Sequence, residues 1–202
     1  MTVNEEKSIL RKKIKLVLKE MSDKERFFQS EEVCKKILSS KEYLNADSLF
    51  SYMAMNEELN LDTVNENCHD CKEKKLFLPR VVADDGLMFF YEIKKDFAIK
   101  EQCIKNKWNI FEPEDKEENK FNLTKLNVKN ILILVPGLAF TKDKKRLGRG
   151  KGFYDRALAK LKDECLKNKC NLKILAVCFR QQVVEDIPCC ENDFTVDEVL
   201  FF

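Results

Sequence analysis

The chain has 202 residues, of which 44% are hydrophobic and 36% charged, and its formal net charge is +2. This length suits one domain with a core of its own, and so small a net charge argues against a general nucleic-acid or membrane-surface binder. No apolar run approaches the ~18 residues that span a membrane, and the N-terminus has no apolar signal-peptide core. The nine cysteines, without an export signal, predict reduced thiols, so we expect a cytoplasmic protein.

The first half of the chain alternates helical and strand patterns. Apolar residues at spacings of three and four indicate amphipathic helices, whereas short apolar runs bounded by polar residues indicate strands. Ser22, followed three residues later by Glu25, has the pattern of a capping box. The predicted elements of this half are a helix at 4–21, a helix from 22 to about 39, a strand at 48–55, a helix at 61–71, and strands at 75–79 and 87–93.

The second half begins with a weak pattern and then returns to strands and helices. We expect a single domain over residues 1–202, with 94–130 as an irregular, partly inserted segment. The elements predicted after it are a strand at 131–135, a helix from 152 to about 167, and strands at 174–179 and 195–202. Alternation of this kind predicts an α/β fold: a mostly parallel central sheet with helices on both faces, in three Rossmann-like layers. Ligands gather at the carboxyl ends of such strands, and the most polar exits are residues 56–58 and the loop after Pro136.

That loop is the most informative stretch of the sequence. The strand at 131–135 stops at Pro136-Gly137, and Lys and Arg then occupy most of residues 142–151, whose one acid is Asp143. A strand, a glycine-rich basic loop and a helix together offer free main-chain N–H groups and the positive end of a helix dipole to an anion. The pattern favours a phosphate-binding loop over a solvated basic turn.

Two common phosphate motifs do not fit this loop. A Walker A pattern counted back from Lys151 would need glycine where Lys145 stands and Ser or Thr where Gly152 stands. The glycines at 148, 150 and 152 alternate too closely for a dinucleotide fingerprint. An RNA-binding loop of the arginine–glycine type is usually repeated, whereas this one is single and framed by a strand and a helix.

Three acidic residues are candidate ligands with ordinary alternatives. Asp155, one turn into the helix, is either a favourable N-terminal charge or a magnesium ligand, since phosphates commonly arrive with Mg²⁺ held by one or two carboxylates. Asp193 is a second candidate for that role, although a turn residue is the commoner reading. Glu58 directly follows a predicted strand, where a surface charge is the commoner reading.

Lys7 and Arg11 lie four residues apart and therefore share one face of the first helix, which alone favours a solvated basic face. Trp108, the one tryptophan, is by type more often a core residue than a substrate platform.

Taken together, these stretches resemble the 5-formyltetrahydrofolate cyclo-ligase family, also called methenyltetrahydrofolate synthetases. The run PGLAF at 136–140 followed by RLGRGKGFYD at 146–155 is similar to the signature of that family. Other stretches with the same likeness occur in the family's order along nearly the whole chain. They are Lys7 with Arg11, residues 55–58, Leu78-Pro79-Arg80, Trp108-Asn109-Ile110, residues 191–193, and Val196-Asp197.

The resemblance implies an enzyme that uses ATP to convert 5-formyltetrahydrofolate into 5,10-methenyltetrahydrofolate, releasing ADP and phosphate. In this reaction the formyl oxygen takes up the γ-phosphoryl group, and a neighbouring folate nitrogen then attacks the activated carbon. Such chemistry requires charge neutralisation and in-line positioning more than a strong base.

The resemblance also implies roles for individual residues. It places ATP against Lys7, Arg11, Arg146, Gly148, Arg149, Gly150, Lys151, Gly152, Phe153 and Tyr154. It places the folate against Met53, Glu58, Trp108, Phe153 and Tyr154. It assigns catalysis to Arg149, Lys151 and Tyr154, and a Mg²⁺ ion to Asp155 and Asp193.

Two departures from the family pattern limit these assignments. Phe153 stands where the family often has tyrosine, so any hydrogen bond through that hydroxyl is absent, and residues 94–130 have little likeness to the family. We expect a monomer with small-molecule substrates and no nucleic-acid or membrane partner. The competing hypothesis is a nucleic-acid-binding module built from the basic loop and the first helix, which predicts steep salt-dependent binding to oligonucleotides without nucleotide turnover.

Overall fold

The structure is a computed structural model that describes residues 1–82, 86–106, 109–123, 128–189 and 193–202. Within these ranges the α-helices are α1 (Val3–Glu20), α2 (Asp23–Ser39), α3 (Lys41–Asn45), α4 (Asp62–Asp70) and α5 (Phe153–Lys167). The strands of the main sheet are β1 (Ser48–Phe50), β2 (Lys75–Val82), β3 (Leu87–Ile93), β6 (Asn130–Val135), β9 (Asn171–Val177) and β10 (Glu198–Leu200). Two small hairpins contain β4 (Cys103–Lys105) with β5 (Phe111–Pro113), and β7 (Ala139–Phe140) with β8 (Arg146–Leu147).

The main sheet has six strands in the order β10-β9-β6-β1-β2-β3. Neighbouring strands from β10 to β2 are parallel, and β3 returns antiparallel to β2 at the edge. In the centre, Leu49 of β1 pairs with Leu76 of β2 and with Leu132 of β6. The predicted mostly parallel α/β sheet is therefore confirmed.

Both faces of the sheet are covered, which explains why its central strands are continuously apolar. Side chains alternate along β6, so Leu132 and Leu134 belong to the core shared with α1, α2 and α4. Ile131 and Ile133 belong to the opposite core, where Leu158 of α5 is buried. Helices on both faces are thus confirmed as well.

Strand β1 is shorter than predicted, because main-chain groups after Ser51 form hydrogen bonds with partners outside the neighbouring strands. The Ser51 N–H still donates to Phe77, but the Tyr52 carbonyl accepts a hydrogen bond from the Asn65 side chain of α4. The Tyr52 hydroxyl in turn donates to the Leu59 carbonyl. The apolar run predicted as strand over 51–55 is instead a buried connection that leads out of the sheet.

Two further details differ from the sequence pattern. The strand predicted at 174–179 begins earlier, at Asn171, and the last strand occupies only Glu198–Leu200 of the predicted 195–202. The β7–β8 hairpin in the loop after Pro136 was not predicted, because strands of two residues leave no periodic pattern. No helix among the described residues is both long and apolar enough to cross a membrane.

Candidate active site

The two polar strand exits identified in the sequence meet at one edge of the sheet. β1 and β6 are hydrogen-bonded neighbours and run in the same direction, so their carboxyl ends open side by side. A cavity of about 360 Å³ lies there. The predicted site residues that line it are Met53, Glu58, Arg146, Gly148, Arg149, Lys151, Gly152, Phe153, Tyr154 and Asp155.

The basic loop, residues 142–152, delivers unpaired main-chain donors to this cavity. Gly152 is the N-cap of α5 and has φ +68°, a left-handed conformation that favours glycine. Within the described part of the chain, the main-chain N–H groups of residues 149–155 donate to no protein acceptor. Donors in this position, at the positive end of a helix, form an anion site. The phosphate-loop hypothesis is therefore supported by the local geometry.

Arg146 is the buried cation of the site, with 6% of its surface exposed. Its Nε and Nη1 atoms have no hydrogen-bond acceptor among the described residues, and the nearest carboxylate, Asp155 Oδ1, lies 3.7 Å from Nη1. The guanidinium also lies over the Tyr154 ring, 5.4 Å from its centroid. Burial lowers the pKa of Arg146, an effect that the charge of Asp155 opposes. A buried guanidinium with donors left over is suited to an anionic ligand.

One face of α1 lies against the basic loop and carries Lys7 and Arg11, although their four-residue spacing alone favoured a solvated basic face. The Lys7 ammonium, 6% exposed, donates to Asp193 Oδ1 at 2.7 Å and also contacts Oδ2. Arg11 Nε donates to the Gly148 carbonyl at 2.9 Å, and its guanidinium lies beside Gly150. These residues border the loop rather than line the cavity wall. The structure thus brings the first helix, the loop and the C-terminal segment together.

Glu58 is a nearly buried carboxylate at the exit of β1, with 8% of its side chain exposed. Its Oε2 accepts the main-chain N–H of Met55 at 3.1 Å, and its Oε1 lies 3.4 Å from Arg149 Nε. Burial raises the pKa of Glu58, and the positive charge of Arg149 opposes that rise. The ordinary reading of Glu58 as a surface charge is therefore wrong, because the side chain lines the cavity.

Another part of the cavity wall is apolar and aromatic. Met53, Phe153 and Tyr154 line it together with Pro79 and Met88 from β2 and β3. Burial, and secondarily the charge of Glu58, raises the pKa of Tyr154 far above its ordinary value. The Tyr154 phenol is therefore a hydroxyl donor at neutral pH and not a base.

Part of the cavity wall comes from the irregular segment 94–130, of which the resemblance indicated only Trp108-Asn109-Ile110. The β4–β5 hairpin lines the cavity with Asn106, Ile110 and Glu112, among others. Glu112 is buried, 3.2 Å from Arg80 Nη1 of β2, and accepts a hydrogen bond from the Asn106 amide. Arg80 belongs to the Leu78-Pro79-Arg80 stretch that resembles the family, but no sequence pattern pairs it with Glu112. Trp108, predicted to cover the folate, lies outside the described residues.

The two predicted metal ligands are not assembled into a cage. Among the described residues, no group of three or more His, Cys, Asp or Glu side chains is placed to hold a metal ion. Asp155 and Asp193 both lie close enough to raise the pKa of Arg146 by their charge. Mg²⁺ is commonly bound by one or two carboxylates and completed by phosphate oxygens and water. This donor set fits an ion that arrives with a nucleotide.

Comparison with known proteins gives a consistent result over the whole chain. Residues 3–201 match the model of the 5-formyltetrahydrofolate cyclo-ligase family. The chain is 31% identical to the mouse 5-formyltetrahydrofolate cyclo-ligase, with 99% of this chain and 95% of that protein covered. It is 29% identical to a probable 5-formyltetrahydrofolate cyclo-ligase of Caenorhabditis elegans, with 98% and 94% covered. Among solved structures, the Aquifex aeolicus 5,10-methenyltetrahydrofolate synthetase is 28% identical, with a TM-score of 0.73 over 96% of this chain and 88% of that one.

Proposed function

Since the chain belongs to the 5-formyltetrahydrofolate cyclo-ligase family, we propose that it converts 5-formyltetrahydrofolate and ATP into 5,10-methenyltetrahydrofolate, ADP and phosphate in the cavity described above. The observation that carries this proposal is the composition of that cavity. A phosphate-type basic loop and a buried carboxylate, Glu58, line the same space together with apolar and aromatic side chains. One cavity can therefore hold a nucleotide phosphate against a flat, polar-edged ring.

The reaction requires two displacements. The formyl oxygen attacks the γ-phosphorus while the bond from phosphorus to the ADP oxygen breaks, and ADP leaves with that electron pair. The neighbouring folate nitrogen then attacks the activated formyl carbon and loses its proton. The bond from carbon to the phosphorylated oxygen breaks, so that phosphate departs and the methenyl bridge remains.

The basic loop serves the first displacement. Arg146, Arg149 and Lys151 line the cavity, and the main-chain N–H groups of residues 149–155 in the same loop have no acceptor among the described residues. Fixed donors of this kind stabilise charge that develops on a transferring phosphoryl group without reorganising during the step. Lys7 and Arg11 hold the first helix against the loop and so shield the phosphate from solvent.

The carboxylate and the apolar side chains of the cavity serve the folate. A carboxylate such as Glu58 pairs well with the adjacent N–H donors of a pterin edge, and the Tyr154 hydroxyl is a further donor. Met53 and Phe153 supply apolar surface for the ring. Apolar walls also exclude water, which would otherwise hydrolyse the activated formyl group.

Asp155 and Asp193 are the residues that would hold a Mg²⁺ ion together with the nucleotide. Such an ion would neutralise phosphate charge. Asp193 already accepts hydrogen bonds from Lys7, so the same carboxylate would face two cations.

The direct test is an absorbance assay. Purified protein is incubated with 5-formyltetrahydrofolate and magnesium-ATP, and methenyl product is followed in the near ultraviolet. We expect ATP-dependent product from the wild type and a raised KM for ATP in Arg11→Ala. The matched control is Lys12→Ala, which removes an exposed neighbouring charge of α1 and should leave KM unchanged. Folded wild-type protein that forms no product would refute the proposed function.

A further inference from the structure

Arg149 connects the basic loop to the two carboxylates that follow β1. It belongs to the basic loop, yet its Nε lies 3.4 Å from Glu58 and its Nη1 donates to Glu57 Oε2 at 3.2 Å. Both carboxylates follow β1, so these bonds connect segments more than 90 residues apart in sequence. A group suited to phosphate is thus bound to a group suited to the folate ring.

The Glu58 carboxylate depends on this connection. Burial disfavours the ionised form of Glu58, and the charge of Arg149 is the largest effect that favours it, followed by the hydrogen bond from the Met55 N–H. If the Arg149 guanidinium moves toward a phosphate, the buried Glu58 carboxylate loses part of the positive charge that stabilises its ionised form. A buried charge without its partner is costly, and new hydrogen-bond donors relieve that cost. A pterin edge provides such donors.

Glu57 has a different position from Glu58. Its side chain is 43% exposed and is not part of the cavity wall, and it contacts the site through Arg149. Glu57 therefore competes with phosphate for the same guanidinium.

We propose that Arg149 couples the two substrates: nucleotide phosphate and folate each bind more tightly when the other is present, and Glu57 is the positioning residue that restrains Arg149 until phosphate arrives. This inference rests on the proposed function. The ion pair of Arg149 with Glu58 must loosen for either ligand, so the ligand that binds second meets a site already opened. Coupling of this kind is reciprocal, and its usual size is at least about fivefold in affinity.

The coupling is measured without turnover. Calorimetry gives the Kd of 5-formyltetrahydrofolate with and without saturating magnesium and the β,γ-imido analogue of ATP. For the wild type we expect folate to bind at least about fivefold more tightly when the analogue is present. The coupling ratio is the Kd of folate without the analogue divided by its Kd with the analogue. This ratio should fall toward one in Arg149→Met, and also in Glu58→Gln, which leaves the basic loop intact.

The matched control is Lys151→Met. It removes the same charge from the same loop, but Lys151 has no carboxylate partner among the described residues. This variant should bind the analogue more weakly but keep the coupling ratio of the wild type. Glu57→Gln should lower the Kd of the analogue by about two- to fivefold when folate is absent, because Arg149 is released from a partly exposed ion pair. A residue with a merely structural role would not improve nucleotide affinity.

The outcomes separate the two proposals. Wild-type protein that binds folate and forms product but shows a ratio of one would overturn the coupling and leave the proposed function standing. A ratio retained in both Arg149→Met and Glu58→Gln would also overturn the coupling. Wild-type protein that neither binds folate nor forms product would remove the proposed function, and the coupling with it.

Discussion

Replacing Arg146 by methionine should stabilise the fold and damage the site. Methionine has a similar length and no charge, so it fills the same space without the buried guanidinium. In the wild type, Arg146 is 6% exposed, and its Nε and Nη1 have no acceptor among the described residues. The protein therefore carries an arrangement that is unfavourable in the absence of an anion.

The expected size of the gain follows from the contacts of Arg146. Each buried N–H without a partner costs about 1–3 kcal/mol, and the substitution removes two such atoms. Against this, Asp155 loses a 3.7 Å ion pair, which is worth at most about 1 kcal/mol because 30% of its side chain is exposed. The contact with the Tyr154 ring contributes about 0.5–2 kcal/mol. At the middle of each range the net gain is about 2 kcal/mol, which raises Tm by roughly 4–8 °C for a chain of this size.

Two measurements check this prediction. Thermal unfolding without nucleotide gives the change in Tm, and calorimetry with magnesium and the β,γ-imido analogue of ATP gives the change in affinity. Loss of charge-assisted bonds worth about 1.5–3 kcal/mol should weaken the analogue by roughly 10- to 150-fold. Arg156→Met is the control, because that exposed arginine donates to the Gly86 and Lys151 carbonyls and its loss should not stabilise. An Arg146→Met protein with a lower Tm and unchanged nucleotide affinity would refute the reasoning.

Three further substitutions test other parts of the site. Gly152→Ala should lower the free energy of unfolding by about 1–2 kcal/mol, because φ is +68°, a left-handed conformation that strains a residue with a Cβ; an unchanged Tm would contradict this. Lys151→Ala should lower kcat by about 10²–10³, whereas Lys167→Ala, at the far end of α5, should not; equal effects would disprove the site assignment. Glu58→Gln should raise the free energy of unfolding at pH 7, because burial raises the folded-state pKa of Glu58 above its ordinary 4.5 and ionised Glu58 therefore opposes folding. The extra stability of Glu58→Gln over the wild type should vanish as the pH falls below 4.5, where Glu58 is protonated in both states. The measurement is denaturant unfolding of both proteins at pH 7 and pH 4, and an equal difference in unfolding free energy at the two pH values would contradict the prediction.

The features that the sequence predicted well are local ones. The apolar run at β6, the Pro136-Gly137 stop and the helix after Gly152 are adjacent in the chain, so their geometry follows from strand and helix periodicity and from glycine. The mostly parallel sheet followed from the alternation of elements in the same way. The loop is accordingly recognisable from the sequence as a candidate phosphate site.

The features that the sequence did not predict depend on contacts between distant residues. Nothing in the neighbourhood of Glu58 indicates that Arg149 lies beside it, and nothing near Lys7 indicates that it meets Asp193. In segment 94–130 the resemblance indicated residues 108–110, but the places of Asn106 and Glu112 in the cavity wall were not predicted, because β4 and β5 are three residues each and their pattern is too short to detect. Pairing of charges across the fold is decided by topology and burial, which no local pattern contains.

The central claim is that the formyl oxygen takes up the γ-phosphoryl group inside this cavity. It is tested most directly with 5-formyltetrahydrofolate carrying ¹⁸O in the formyl group, in a single turnover with magnesium-ATP. We predict that the label appears in inorganic phosphate, one atom for each methenyl product formed. Methenyl product accompanied by unlabelled phosphate, with the label in water, would contradict the mechanism.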